Sequence, residues 1–122
     1  MSQTNSNNKP YDLEDRLVEF AADCANFSLT IFGNQVGNYY GNQLLRSSGA
    51  AAPNYGEALG TQTTKDFMNK ASIVLKELKE SRINLKISLK MFLDKDQMIL
   101  ELKSECEQLI AIIATMIKNR NN

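Results

Sequence analysis

Apolar residues return every three or four positions through most of this chain. Leu13, Leu17, Phe20, Cys24, Phe27 and Ile31 follow one another at spacings of four, three, four, three and four. That rhythm places them on one face of an α-helix, because about 3.6 residues complete a turn. Asp12 precedes the stripe as an N-cap, and Glu14 and Asp15 put negative charge in the first turn, where the helix dipole favours it. A second set, Val18, Ala21, Ala22, Ala25, Leu29 and Phe32, sits beside the first. Together the two sets cover well over half of the helix surface, whereas one bundle core needs about a third. The surplus predicts a second packing partner for this helix.

Gly33-Asn34 ends that pattern, and glycine then recurs at positions 33, 37 and 41. Without the Lys-Ser/Thr of a phosphate loop, this segment reads as a loop followed by a loosely held helix start. A second helix is predicted from Val36 or Asn38 to Leu59. Its middle, Ser47-Ser48-Gly49-Ala50-Ala51-Ala52, is built of small residues that let helix backbones approach closely. Pro53 removes a backbone donor and crowds the preceding turn, so a kink is expected there. Gly60 to Thr63 is a polar connection. The third helix is expected from Thr64 to about Leu93, capped by Thr63 or Thr64, with the stripe Phe67, Ala71, Val74, Leu78, Leu85, Leu89 and Phe92. Asp94-Lys95-Asp96 is the turn, and Asp96 can cap the last helix. That helix carries Ile99, Leu102, Cys106, Leu109, Ile113 and Met116, widened by Ile110, Ile112 and Ile117. Ile110 to Ile113 alone could be a strand, but it lies inside a long helical period.

Four helices joined by short connections predict an all-α, antiparallel up-down-up-down four-helix bundle over residues 12–120. Residues 1–11 read as a disordered polar tail. With 122 residues, 43% of them apolar, the chain has the material for one core. Lys+Arg and Asp+Glu number 14 each, so the net charge is zero. That balance weighs against a dedicated nucleic-acid binder, which carries a basic excess, though it leaves room for a local basic patch. The polar start MSQTNSNNKP has no apolar signal core, and no stretch reaches the ~18 apolar residues of a membrane span. A cytoplasmic location is expected, and the Asn26-Phe27-Ser28 sequon then has no use.

The candidate chemistry is sparse. The chain has no histidine, the commonest general base and metal ligand. A ferritin-like di-metal site needs Glu-x-x-His pairs, so no metal and no cofactor are expected. Cys24 and Cys106 fall inside apolar stripes and read as two small buried hydrophobes, with no CxxC spacing between them. No nucleophile elbow, phosphate loop or dinucleotide fingerprint is present. Glu77 and Glu80 are one turn apart and could do acid–base work, but among Lys76, Lys79 and Arg82 they read as ion-pair partners. No enzymatic activity and no small-molecule substrate are expected. Lys76, Lys79, Lys86 and Lys90 fall within less than a quarter of the helix circumference and form a basic stripe about four turns long. Such a stripe is either a solvated face or a contact for phosphates, with no aromatics interleaved for base stacking. Beside it, Ile73, Ile83, Ile87 and Met91 point away from the core stripe, an arrangement that suggests a homo-oligomer interface.

The run Asp12-Leu13-Glu14-Asp15-Arg16-Leu17-Val18-Glu19-Phe20-Ala21 resembles the opening of the four-helix-bundle proteins encoded in intervening sequences of bacterial large-subunit (23S) ribosomal RNA genes. Gln43 to Ser48 followed by Asn54-Tyr55-Gly56-Glu57-Ala58 resembles that family's second-helix motif. Asp66-Phe67 through Leu75-Lys76-Glu77, with Glu80 and Arg82, resembles its third, and Glu105 to Leu109 with Ile112-Ile113 its last. The resemblance spans about residues 11 to 118. It implies an up-down bundle assembled as a homopentamer around a central channel, with no known enzymatic activity. A related group, the accessory variability proteins of diversity-generating retroelements, shares the bundle and works with nucleic acid. Arg46, Asn54, Glu57, Glu77 and Glu80 match recurrent polar positions of the family, which implies a polar network that fixes helix register or subunit contacts. The expected function is a non-catalytic homo-oligomeric scaffold with weak RNA or DNA association through the lysine stripe. The alternative is a protein–protein interaction module without nucleic-acid binding.

Overall fold

The computed structural model describes residues 12–121, and the expected disorder of residues 1–11 lies outside them. Four helices, α1 (Leu13–Ile31), α2 (Gln35–Leu59), α3 (Thr64–Met91) and α4 (Asp96–Asn121), form a helical bundle. A single 3₁₀ turn, Leu93–Lys95, joins α3 to α4, and the described residues contain no strand. Each helix packs against its neighbour in the chain, and α1 also packs against α4. The diagonal pairs, α1 with α3 and α2 with α4, make no close backbone approach. The helices therefore sit at four corners with the core between them. The α1–α4 seam is the most open of the four.

The apolar stripes set which face of each helix turns inward. Leu13, Leu17, Phe20, Cys24, Phe27 and Ile31 are all buried, as are Phe67, Ala71, Val74, Leu78 and Leu85 on α3. Ile99, Leu102, Cys106, Leu109, Ile110 and Ile113 complete the core from α4. Leu89, Phe92 and Met116 pack against its edges, half-buried. The second apolar set of α1 is divided. Val18 (53% exposed) and Leu29 (67%) face outward, whereas Ala21, Ala25 and Phe32 are half-buried. No helix of the described residues is long and apolar enough to cross a membrane.

The start of α2 departs from the expectation of a loosely held segment. Gly33 takes a φ of 130°, a conformation that side chains disfavour, and turns the chain after α1. Asn34 then caps α2: its Oδ1 accepts the Gly37 N–H at 2.8 Å. A Cβ on Gly37 would run into the carbonyl of Ile31, and one on Gly41 would run into the Phe32 ring. The Ser28 hydroxyl lies 2.9 Å from the Cys24 carbonyl and 3.2 Å from that of Gly41. The glycines mark a close approach of the two helix ends, and this is why the segment is packed. Asp12 differs in another way, since its side chain makes no cap hydrogen bond. Thr63 does cap α3, accepting the Asp66 N–H at 3.0 Å. α2 runs unbroken through Pro53, whose ring leaves the Gly49 carbonyl without its usual donor at an exposed position.

Candidate interaction surfaces

Arg46, in the middle of α2, reaches across to α3. Its guanidinium donates to Glu77 Oε1 at 3.2 Å and also to Glu80. Glu77 is nearly buried, its side chain 10% exposed, whereas that of Arg46 is 50% exposed. Desolvation works against the arginine charge, but Glu77 and Glu80 outweigh it and hold its pKa above the ordinary value. Deeper in the same seam, the Ser47 and Ser81 hydroxyls hydrogen-bond at 2.8 Å, both fully buried. The other two family-matched positions stand apart from this cluster. Glu57 accepts from Lys70 Nζ at 2.6 Å, and Asn54 donates to the Ala50 carbonyl of its own helix at 2.8 Å. The five polar positions are thus one three-residue cluster, one separate α2–α3 ion pair and one intrahelical bond.

Lys76, Lys79, Lys86 and Lys90 are all exposed, and none forms an ion pair among the described residues. Ile83 (52% exposed) and Met91 (39%) stand beside them, while Ile73 and Ile87 are half-buried. Lys76, Lys79, Glu80, Ile83 and Asn84 of α3, with Gln43 of α2, line a shallow depression of ≈ 430 Å³. The basic and apolar features of α3 therefore share one surface.

The opposite seam carries a feature that the periodicity left unmarked. Arg16 of α1 grips Glu105 of α4 with two bonds, Nε to Oε2 at 3.1 Å and Nη2 to Oε1 at 2.7 Å, and Nη2 also donates to Gln108 at 3.2 Å. The hydrogen bond to Glu105 raises the Arg16 pKa. The only hints in the sequence are that Arg16 flanks the α1 stripe and Glu105 flanks that of α4. Beyond this clamp, α1 and α4 frame a cleft of ≈ 470 Å³. Phe20, Phe27 and Leu102 form its buried floor, and exposed Met98 stands at its lip. Asp23, Glu101 and Glu105 supply its acidic rim. Partial desolvation raises the Asp23 pKa first, and the nearby negative charges of Glu19 and Glu105 raise it further.

Both thiols are buried, Cys24 and Cys106, and the Cys106 Sγ donates to the Leu78 carbonyl at 3.2 Å. Burial raises the Cys24 pKa and pushes that of Cys106 up to about 12, so neither is a nucleophile at neutral pH. Among the described residues, no group of three or more His, Cys, Asp or Glu side chains could hold a metal ion.

No family model matches this chain, and no curated protein matches it. Among solved structures, the fold resembles that of a protein of unknown function from the S23 ribosomal protein family of Bacteroides thetaiotaomicron. The two superpose with a TM-score of 0.80 over 87% of this chain and 98% of that one, at 24% sequence identity. At that identity, the likeness establishes the shared helical fold.

Proposed function

We propose that this chain is a non-catalytic, homo-oligomeric helical scaffold of the ribosomal-RNA intervening-sequence protein family. In this reading it is an antiparallel up-down-up-down bundle, acts in the cytoplasm and closes into a homopentamer. The observation that carries it is the outward face of α3, where exposed Ile83 and Met91 stand among four lysines that find no acid within the bundle. Exposed apolar side chains at helical spacing gain from a partner surface. Val18 and Leu29 on α1 add to the apolar area that a single copy leaves in water. The S23 family of the solved neighbour agrees with the motif resemblance and supports a ribonucleoprotein setting. Light scattering on a sizing column tests the reading. A closed oligomer, five times the 13.7 kDa chain, is the expected result. A monomer at micromolar concentration would refute it.

A second reading rests on the same four unpaired lysines. They offer phosphate contacts, and so a weak association with RNA or DNA that does not depend on sequence. This is the property that the retroelement accessory proteins would share. A protein interface without nucleic acid is its competitor, and the depression that places Ile83 beside Lys76 and Lys79 favours the competitor.

A further inference from the structure

Two surfaces of this chain complement each other but cannot meet within one copy. The first is the outer face of α3, which is basic with an apolar centre, opening toward α2 through Gln43. The second is the α1–α4 cleft, which has an apolar floor and an acidic rim. The four-cornered packing puts the α2–α3 seam opposite the α1–α4 seam, so the two lie on different sides of the bundle. The charge balance is local as well: Lys76 and Lys79 form no ion pair on one side, where the neighbouring Glu80 is held by Arg46, and Asp23 and Glu101 form none on the other. The lengths are compatible, since Lys76 to Lys90 spans about 21 Å of helix and Phe20 to Thr30 about 15 Å at the α-helical rise.

We propose that the α3 face of one copy docks into the α1–α4 cleft of a second copy. Ile83 meets the floor of Phe20, Phe27 and Leu102 beside Met98, and the flanking lysines meet Asp23 and Glu101. This rests on the oligomeric reading above and deepens it by naming the two contacting surfaces. Because they differ, the contact is head-to-tail, and repetition gives a ring where the rotation closes. Charge complementarity identifies the occupant. A polyanion would satisfy the lysines, but it would leave Ile83 and the acidic cleft unused. The cleft lies along the most open seam of the bundle, and there like charges crowd around Asp23. Incoming lysines relieve that crowding.

The test uses two charge-reversed chains, one with Lys76→Glu and Lys79→Glu, the other with Asp23→Lys and Glu101→Lys. These side chains lie on the surface, so each variant keeps the helical circular-dichroism spectrum of the wild type. Light scattering should find the wild type assembled and each variant monomeric. A chain that combines all four changes should return the wild-type mass, because every reversed face then meets a reversed cleft in a ring of any number. An assembled wild type whose mass neither reversal changes would place the interface elsewhere and overturn the proposal. Separate variants that dissociate, with a four-change chain that stays monomeric, would overturn the head-to-tail pairing. A lysine variant that stays assembled while losing low-salt binding to duplex DNA would assign the stripe to a polyanion instead. A monomeric wild type would remove the oligomer itself, a failure distinct from a misplaced interface.

Discussion

Gly37 and Gly49 lie in the same helix but in opposite situations. A methyl group on Gly37 would strike the Ile31 carbonyl, whereas one on Gly49 meets nothing. Gly37→Ala should therefore cost about 1–3 kcal/mol, the usual scale of overpacking. Gly49→Ala should stabilise by about 0.5–1 kcal/mol, since alanine is the better helix former. Urea denaturation of both variants checks the pair of signs. The buried thiols give a second residue-scale prediction. An unfolded cysteine ionises near pH ~8.5, whereas burial holds Cys106 protonated to about 12 and Cys24 higher still. Below that range both states keep their protons and the thiols add no pH dependence. Above about pH 8.5 the unfolded chain releases protons that the folded chain retains, so stability falls as pH rises. The Cys24→Ala, Cys106→Ala chain should lose that alkaline slope in melts taken between pH 8 and 10. In the native wild type, neither thiol should react with a thiol reagent at pH 7.

At the scale of elements, the two opposite seams hold by different means. The α2–α3 seam is close-packed through small residues, with the buried Ser47 and Ser81 hydroxyls in contact, and Arg46 closes its outer edge. Arg46→Met strands the nearly buried Glu77 but removes a charge that is half solvated. The cost should fall between that of exposed and buried pairs, about 1–3 kcal/mol, and a further Glu77→Gln change should return part of it. The α1–α4 seam is more open, and its end is clasped by the bidentate Arg16–Glu105 pair. Arg16→Met should loosen that seam selectively. Amide exchange in α4 around Glu105 should accelerate more than exchange in the α2–α3 seam. Uniform acceleration would show that the clamp acts on the whole bundle.

At the scale of the molecule, a neutral chain carries its charge in patches. Any nucleic-acid binding should come from Lys76, Lys79, Lys86 and Lys90, and each phosphate neutralised adds about 0.9 to the salt slope for duplex DNA. With few contacts per copy, binding should show at low salt and be largely lost at physiological salt. Replacing all four lysines by glutamine should abolish it with helical content intact, as followed by fluorescence anisotropy and circular dichroism. Binding that persists through high salt and through the replacements would mean that another surface carries it.

Helix spans and inward faces were legible because periodicity is a local property. Stripes such as Leu13 to Ile31 record burial whatever the partner is, and the Thr63 cap acts within a few residues. The motif resemblance pointed to the same fold. The glycines at 37 and 41 were misread, because a sequence cannot distinguish a glycine that loosens a backbone from one that admits a neighbouring helix. Only contact with Ile31 and Phe32 decides that. Five polar positions looked alike in sequence. The rotation and stagger of α2 against α3 gave Arg46 to Glu77 and Glu80, sent Glu57 to Lys70 and left Asn54 on its own helix. The Arg16–Glu105 clamp joins residues 89 positions apart, the acidic cleft likewise draws on both α1 and α4, and neither stripe alone encodes them. The sequence determines which face of each helix is buried. The flanking residues of two helices meet only when their relative azimuth and height are set, and that is a property of the packed bundle.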